Sequence, residues 1–437
     1  MLSMPRLWST LYVRTGHQPY RWIKDPIQEA KNILTDFTSH AGGRALTVHL
    51  SLVCDHEREI ADSYAKTYDF LVWVLYKWPL ISNVQHLTIL SVYAWKDILV
   101  MHGPLSLPNL ETVILTTHRR RQESPPEDTR FWIEGIFNNS PRLHQITLDR
   151  GVLSMPHKFL PLSQLESLVL EDPITTPTFL ELLDACTELK SGYFNISQTV
   201  LLEPHEGPLQ IRCRHLQELQ VVFCDRDPVF MTMSIFRHRR LPSLRRLVSR
   251  CVRRWDRAMD IPTFQNPLDL SPYLPNFSEF TIIDSWQWPL PFLLNNTTVT
   301  SIEMRLQPNQ IIGVASQLTV TDGKVSLLPS LMNLKMWLPA SNSCLSMLDC
   351  DELGKMLHSR ILLNYSTGVA QLKSFQLRGG GIVGEVESRL QEIKESLAPI
   401  GVEVTFYNEA IEPNDRYLIP NGIGDGVGPD RLGYLNR

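Results

Sequence analysis

A glycine-rich motif near the end of the chain has the spacing of a phosphate-binding loop. Gly379, Gly381 and Gly384 match the pattern G-x-G-x-x-G after a strand-like segment, LKSFQLR. In dinucleotide-binding proteins such a loop brings the backbone to a pyrophosphate at a helix N-terminus, and an acidic residue, here Glu409, binds the ribose. The stretch Gly379–Gly384 therefore has two interpretations, a dinucleotide site or a turn between repeated units. We favour the turn, because this motif usually opens a domain of several β-α-β units.

Other residues with catalytic potential do not form a catalytic pattern. His56-Glu57 starts like the zinc-protease motif H-E-x-x-H, but Ile60 stands where the second histidine belongs. Glu171-Asp172 follows a strand-like segment, where paired carboxylates usually serve a turn or cap a helix. The sequence contains no G-x-S-x-G motif, Walker loop or Cys/His zinc spacing. We predict no enzymatic activity, no catalytic residues, no metal and no cofactor.

Arginine is concentrated in one stretch of the chain. Nine arginines and one acid, Asp256, lie between 237 and 257. If these side chains share one rim, they attract the carboxylate or phosphate groups of a partner. The alternative is a solvated loop whose charge is neutralised by acids on adjacent units. The partner-binding candidates that we select from this stretch are Arg237, Arg239, Arg240, Arg245, Arg246, Arg253 and Arg254.

Two tryptophans add a second candidate contact. Most of the ten tryptophans, including Trp337, are expected to fill the core between repeats. Trp286 and Trp288 lie between proline-containing turns, so we predict that they are partly exposed and contact a protein partner. The net charge of −4 and the lack of a basic motif with interleaved aromatic residues disfavour nucleic acid. The predicted partner is a protein target of unknown identity, with acidic or phosphorylated groups.

A nine-residue phrase recurs along the chain, and its clearest copy is LPNLETVIL at 107–115. A turn signal comes first, then Leu, two polar residues and an apolar alternation typical of a half-buried strand. The first Leu-like residues of the phrases are twelve anchors: Leu46, Val84, Leu110, Leu143, Leu165, Leu189, Leu216, Leu244, Phe277, Val299, Leu331 and Leu372. Helical segments fill the intervals of 22 to 41 residues between them. This pattern predicts an α/β fold: a leucine-rich-repeat-like solenoid, curved, with a largely parallel sheet and outer helices.

The composition divides the chain into three parts. Residues 1–24 are predicted to form an N-terminal cap, 25–407 the repeat array, and 408–437 a flexible Gly/Pro-rich tail. Within the array, Asp25-Pro26 is a favourable start of a helix and Gly42-Gly43 a favourable end.

The sequence also suggests where the protein is found. The most apolar stretch, 70–80, is short and contains Lys77, so no membrane span is predicted. Seven cysteines are an odd number, and none shows CxxC spacing, which favours reduced thiols. We therefore expect a cytoplasmic or nuclear protein without a membrane partner.

The first residues carry a family resemblance. Met4–Val13, MPRLWSTLYV, resembles the closing segment of the F-box in fungal (basidiomycete-type) F-box proteins, which commonly ends in a Pro-Arg-Leu-Trp-Ser run. In that family a degenerate leucine-rich-repeat array follows the F-box. The resemblance implies the substrate receptor of a cullin–RING (SCF-type) ubiquitin ligase, in which the F-box binds a Skp-type adaptor and the repeats hold the target protein.

Pro5, Arg6, Leu7 and Trp8 are the residues that the resemblance assigns to the adaptor. The chain keeps only the closing part of an F-box, so we expect the adaptor to bind only if a full F-box lies upstream of Met1. Otherwise the same four residues are expected to cap the apolar end of the repeats. A structural scaffold without a link to ubiquitin is the alternative function.

Overall fold

Fourteen parallel strands follow one another in strict chain order in the computed structural model of this chain. This arrangement confirms the predicted α/β class with a largely parallel sheet. The chain falls into two units, Met1–Asn195 and Ile196–Arg437. The structure describes residues 9–15, 26–52, 68–91, 105–116, 137, 139–148, 160–198, 213–223, 240–251, 273–283, 298–306, 310–321, 328–338, 345–362, 369–379 and 382–408.

The unit Met1–Asn195 alternates strands with helical segments. Its labelled elements are β1 (Thr10–Thr15), α1 (Pro26–Ala41), β2 (Leu46–Leu52), β3 (Val84–Ser91), β4 (Thr112–Thr116), β5 (Gln145–Leu148), β6 (Ser167–Thr175), α2 (Thr176–Ala185) and β7 (Ser191–Gln198), the last of which extends past its end. Between β2 and β3, residues 68–72 are helical and continue as a π-helical turn over Trp73–Lys77.

The unit Ile196–Arg437 repeats the same alternation with longer helices. Its labelled elements are β8 (Glu218–Phe223), β9 (Arg246–Cys251), β10 (Glu279–Ile283), β11 (Ser301–Arg305), α3 (Ile311–Leu318), β12 (Asn333–Trp337), α4 (Met347–Ile361), β13 (Ser374–Arg378), α5 (Glu385–Leu397) and β14 (Glu403–Tyr407).

The twelve predicted anchors all lie in the core, with at most 1% of each side chain exposed. Each anchor stands at or just before one of the strands β2 to β13. A tight turn precedes several of them: the N–H of Leu110 donates to the carbonyl of Leu107 at 3.1 Å, and that of Leu244 to Leu241 at 3.2 Å. The recurring phrase is thus a turn followed by a buried entry into a strand.

The residue before the anchor connects successive repeats through a polar side chain. Asn109 donates to the carbonyl of Ser82 at 2.9 Å, and Gln164 donates to that of Ser140 at 2.8 Å. In the second unit, Asn276 donates to the carbonyl of Pro242 at 2.6 Å. These bonds join the turns of successive repeats, and so help to hold each repeat at a set distance from the previous one.

In four of the described strands, one face is buried and the other is open. In β12, Leu334 and Met336 are buried, whereas Asn333, Lys335 and Trp337 are not. β4, β11 and β13 show the same alternation, as expected from the period of two in a strand. In these strands the other face presents partly exposed side chains. β8, β9 and β10 differ, because the register partners Gln220, Val248 and Thr281 on that face are buried.

Two helices show how local sequence sets their ends. α1 covers Pro26–Ala41, as Asp25-Pro26 and Gly42-Gly43 predict, and Gly42 adopts the left-handed φ of 61° that favours glycine. α4 begins with a capping box: the Ser346 hydroxyl accepts from the N–H of Asp349 at 3.2 Å, and the Asp349 carboxylate accepts from the N–H of Ser346 at 2.8 Å.

The segment 1–24, predicted as an N-terminal cap, contains the first strand of the sheet. β1 pairs in parallel with β2, with Leu11 beside Val48 and Val13 beside Leu50. Leu11 and Val13 are buried, so at least these two residues of the segment belong to the core. Residues 1–8 and 409–437 lie outside the described residues. No helix in the described ranges has both the length and the apolar composition that crossing a membrane requires.

Candidate functional site

Arginine and aromatic residues alternate across the open face of the Ile196–Arg437 unit. Arg305, Trp337, Arg378 and Tyr407 are register partners on β11, β12, β13 and β14, and we call them the arginine–aromatic row. The guanidinium carbon of Arg378 lies 5.0 Å from the centre of the Trp337 ring and 4.4 Å from that of Tyr407. Each row member is partly exposed. The row can thus contact a ligand with cations and aromatic surface together.

Acids lie at the amino ends of some strands of this unit. Glu218, Arg246 and Glu279 are register partners near the amino ends of β8, β9 and β10, and Arg246 bonds to Glu218 at 3.1 Å. Glu403 occupies the equivalent place on β14. All strands are parallel, so these residues lie at the amino-end edge and the arginine–aromatic row at the carboxyl-end edge. The acids thus lie on β8, β10 and β14, whereas β11, β12 and β13 begin with the neutral residues Ser301, Asn333 and Ser374.

The open face of the Met1–Asn195 unit has a different character. Its register rows contain mainly Thr, Ser, Gln and His, such as Thr47, His86 and Thr112. Tyr12 stacks on His49 with 4.5 Å between ring centres and 10° between planes. Burial, and secondarily His86, lowers the pKa of His49 below its usual value. The lowered pKa favours a neutral imidazole, and a neutral ring does not attract an anionic ligand.

The predicted arginine candidates fall in different environments. Arg240 and Arg245 are exposed beside the start of β9, whereas Arg246 is the first residue of β9 and lies on the open face. The backbone N–H of Arg245 also donates to the carbonyl of Gln217 at 2.9 Å. Of this stretch, Arg246 is the candidate that the sheet places beside acids. The other candidates lie outside the described residues: Arg237, Arg239, Arg253, Arg254, Trp286, Trp288, Pro5, Arg6, Leu7 and Trp8.

The structure gives separate physical reasons for the glycines at 379 and 384. A Cβ on Gly379 would lie 2.5 Å from the Cβ of Leu338, and the Gly379 N–H donates to the carbonyl of Tyr407 at 3.0 Å. Gly384 has φ of 62° and ψ of −126° at the start of α5. Glu385 in the first turn of α5 already places a carboxylate at the positive end of the helix. Close packing thus explains Gly379 and a left-handed backbone explains Gly384, without a bound pyrophosphate.

Sequence reasoning missed all four residues of the arginine–aromatic row. Trp337 was expected in the core, but it is partly exposed on the open face. The signal was present: Arg305, Trp337 and Arg378 each lie six residues after an anchor, namely Val299, Leu331 and Leu372. Aligning the phrases on their anchors would have brought the three into one column.

The described ranges contain no cluster of three His, Cys, Asp or Glu side chains placed to hold a metal ion. No protein-family model matches the sequence, and a comparison with curated proteins gives no match.

Proposed function

We propose that this chain is a non-enzymatic protein-recognition module that binds its partner across the open face of the Ile196–Arg437 unit. The observation that supports the proposal is the arginine–aromatic row on the open face of β11 to β14. Arginine, tryptophan and tyrosine are the residue types enriched at the energetic centres of protein interfaces. The face offers charge, planar donors and apolar ring surface together, and the site residues suggest no bond-making chemistry.

Two finer assignments accompany this proposal. The repeated turn-anchor-strand phrase, the parallel chain-order strands and the polar bonds between repeats support a curved leucine-rich-repeat-like solenoid. The resemblance of Met4–Val13 to the end of an F-box supports a substrate receptor of a cullin–RING ubiquitin ligase in the cytoplasm or nucleus. A scaffold without that link is the alternative.

Site-specific photocrosslinking tests the proposal directly. Benzoylphenylalanine is introduced in place of Gln376 on the open face, or in place of Glu395, which is exposed on α5. Each protein is irradiated in an extract of the source cells, and the adducts are identified by mass spectrometry. We expect a discrete set of protein adducts at Gln376 and none of the same set at Glu395. Identical adducts at both positions, or none at Gln376, would reject binding through this face.

Two further measurements separate the alternatives. Co-purification of a Skp-type adaptor with the chain would support the ligase role, whereas its absence beside a reproducible Gln376 adduct would favour the scaffold. A nucleotide-dependent thermal shift tests the enzyme alternative at Gly379–Gly384. Stabilisation by micromolar NAD would contradict a purely protein-binding function.

A further inference from the structure

We propose that the arginine–aromatic row binds an extended acidic segment of the partner, with two carboxylates three residues apart. This inference rests on the proposed function and specifies the chemistry of the partner. The two carboxylates would pair with Arg305 and Arg378, and the segment would lie over the Trp337 ring between them.

Arg378 is held ready to bind a planar anion. Rings on both neighbouring strands lie within 5.0 Å of its guanidinium carbon, which restricts how the group can turn. Its Nε is buried and has no hydrogen-bond acceptor among the described residues. A guanidinium already fixed in position loses little rotational freedom when a carboxylate binds to it.

Arg305 and Arg378 form no ion pairs within the described part of the chain, although Glu303 lies two residues before Arg305 on the same face of β11. No ion pair joins either guanidinium to a described carboxylate, in contrast to Arg246 with Glu218 and Arg389 with Asp351. The row itself contains two arginines and no acid. A partner segment with negative charge would therefore complement the row.

The spacing of the arginines favours two separate carboxylates. Arg305 and Arg378 stand two strands apart, which places their backbones about 10 Å apart. A polyproline II segment advances ~3.1 Å per residue with three residues per turn, so residues i and i+3 share one side about 9 Å apart. One phosphate group is too small to pair with Arg305 and Arg378 at once, because the neighbouring rings hold Arg378 in place. We therefore assign an acidic segment rather than a singly phosphorylated one.

A set of short fluorescent peptides tests this assignment with the full chain. The probes contain the central sequence Glu-Pro-Pro-Glu, Glu-Glu-Pro-Pro, Gln-Pro-Pro-Gln or phosphoserine-Pro-Pro-Gln. Their affinities are measured by fluorescence anisotropy for the unchanged protein and for Arg305→Gln, Arg378→Gln and Arg240→Gln. Arg240→Gln is the matched control, because it removes the same charge from an exposed position outside the row. Thermal melting establishes that each variant is folded.

We expect Glu-Pro-Pro-Glu to bind most tightly, and Arg305→Gln and Arg378→Gln each to weaken it about fivefold or more, corresponding to one lost charged pair. Arg240→Gln should change the affinity less than twofold. Three results would overturn the inference: no binding of Glu-Pro-Pro-Glu, an equal loss in Arg240→Gln, or tighter phosphoserine binding that depends on Arg378 but not on Arg305. If the Gln376 adduct persists after such a result, the proposed function stands and only the partner chemistry is wrong.

Discussion

The guanidinium carbon of Arg378 lies 4.4 Å from the centre of the Tyr407 ring on the neighbouring strand. An aromatic face attracts a cation through its quadrupole, and the attraction grows as water is excluded. Tyr407 therefore helps to orient Arg378 toward a ligand, although it carries no charge itself.

Replacing Tyr407 by Leu removes this orienting ring and should weaken Glu-Pro-Pro-Glu binding about threefold to fivefold, equivalent to roughly 1 kcal/mol. Tyr407→Phe retains the ring face and should bind almost as tightly as the unchanged protein. Fluorescence anisotropy measures both. Equal weakening by Leu and Phe would show that the hydroxyl, rather than the ring, contributes to binding.

Arg360 stabilises the packing of α3 against α4. Its side chain is completely buried, and it donates to the carbonyls of Leu318 at 2.7 Å and Leu328 at 2.9 Å. Burial lowers the pKa of Arg360 to about 10, so it is still protonated at neutral pH. The carbonyl of Leu318 belongs to the C-terminal end of α3, where a positive charge is favourable.

Arg360→Met should lower the free energy of unfolding by about 2–4 kcal/mol, because both carbonyls lose the charged hydrogen bond from Arg360. The matched control is Arg389→Met, which removes a solvent-exposed arginine that pairs with Asp351 at 2.9 Å. Exposed pairs contribute little, so this variant should melt close to the unchanged protein. Differential scanning calorimetry compares the two. Similar melting temperatures for both variants would contradict a stabilising role for Arg360.

Gly379→Ala and Gly384→Ala should both destabilise the chain by about 1–3 kcal/mol, for different reasons. The new Cβ at 379 would overlap Leu338, whereas at 384 there is space but φ is 62°. Gly313→Ala is the control: nothing lies within 4 Å of its Cβ, and alanine should stabilise α3 by up to about 1 kcal/mol. Chemical denaturation measures all three. Unchanged stability at 379 and 384 would reopen the ligand-binding interpretation.

Acidic pH should destabilise the fold through His49. Its folded-state pKa is lowered, so the neutral form is favoured in the folded chain. The stability that neutral His49 contributes is fully present above the ordinary histidine pKa of 6.5. It is lost as the pH falls toward the lowered pKa of the folded state. His49→Phe retains a ring beside Tyr12 and should reduce the loss of melting temperature between pH 7.5 and pH 5. His215→Gln, at an exposed position, should leave that loss unchanged.

Much of the fold followed from patterns a few residues long. The anchors could be assigned because a turn, a leucine and an apolar alternation are local features of the chain. α1 was predicted with the correct ends, since Asp25-Pro26 and Gly42-Gly43 determine how a helix starts and stops. β1 was not predicted, because Thr10–Thr15 is identified as a strand by its pairing with β2 after an intervening helix.

The candidate site could not be assembled in the same way. The residues of the arginine–aromatic row come from separate strands, and successive members are 29 to 41 residues apart in the chain. A dense run of arginines attracted attention, yet Arg246 of that run pairs with Glu218 on the sheet. Charge density along a sequence does not reveal which cations already have acids beside them.

Local periodicity and turn chemistry were thus sufficient for the class of fold, the buried anchors and the order of the repeats. The tertiary structure alone decided that Arg378 lies between Trp337 and Tyr407. The reason is strand register: a shift of one residue between neighbouring strands would move one of these side chains to the buried face. Register depends on how whole repeats stack on one another, so the sequence of a single repeat does not determine it.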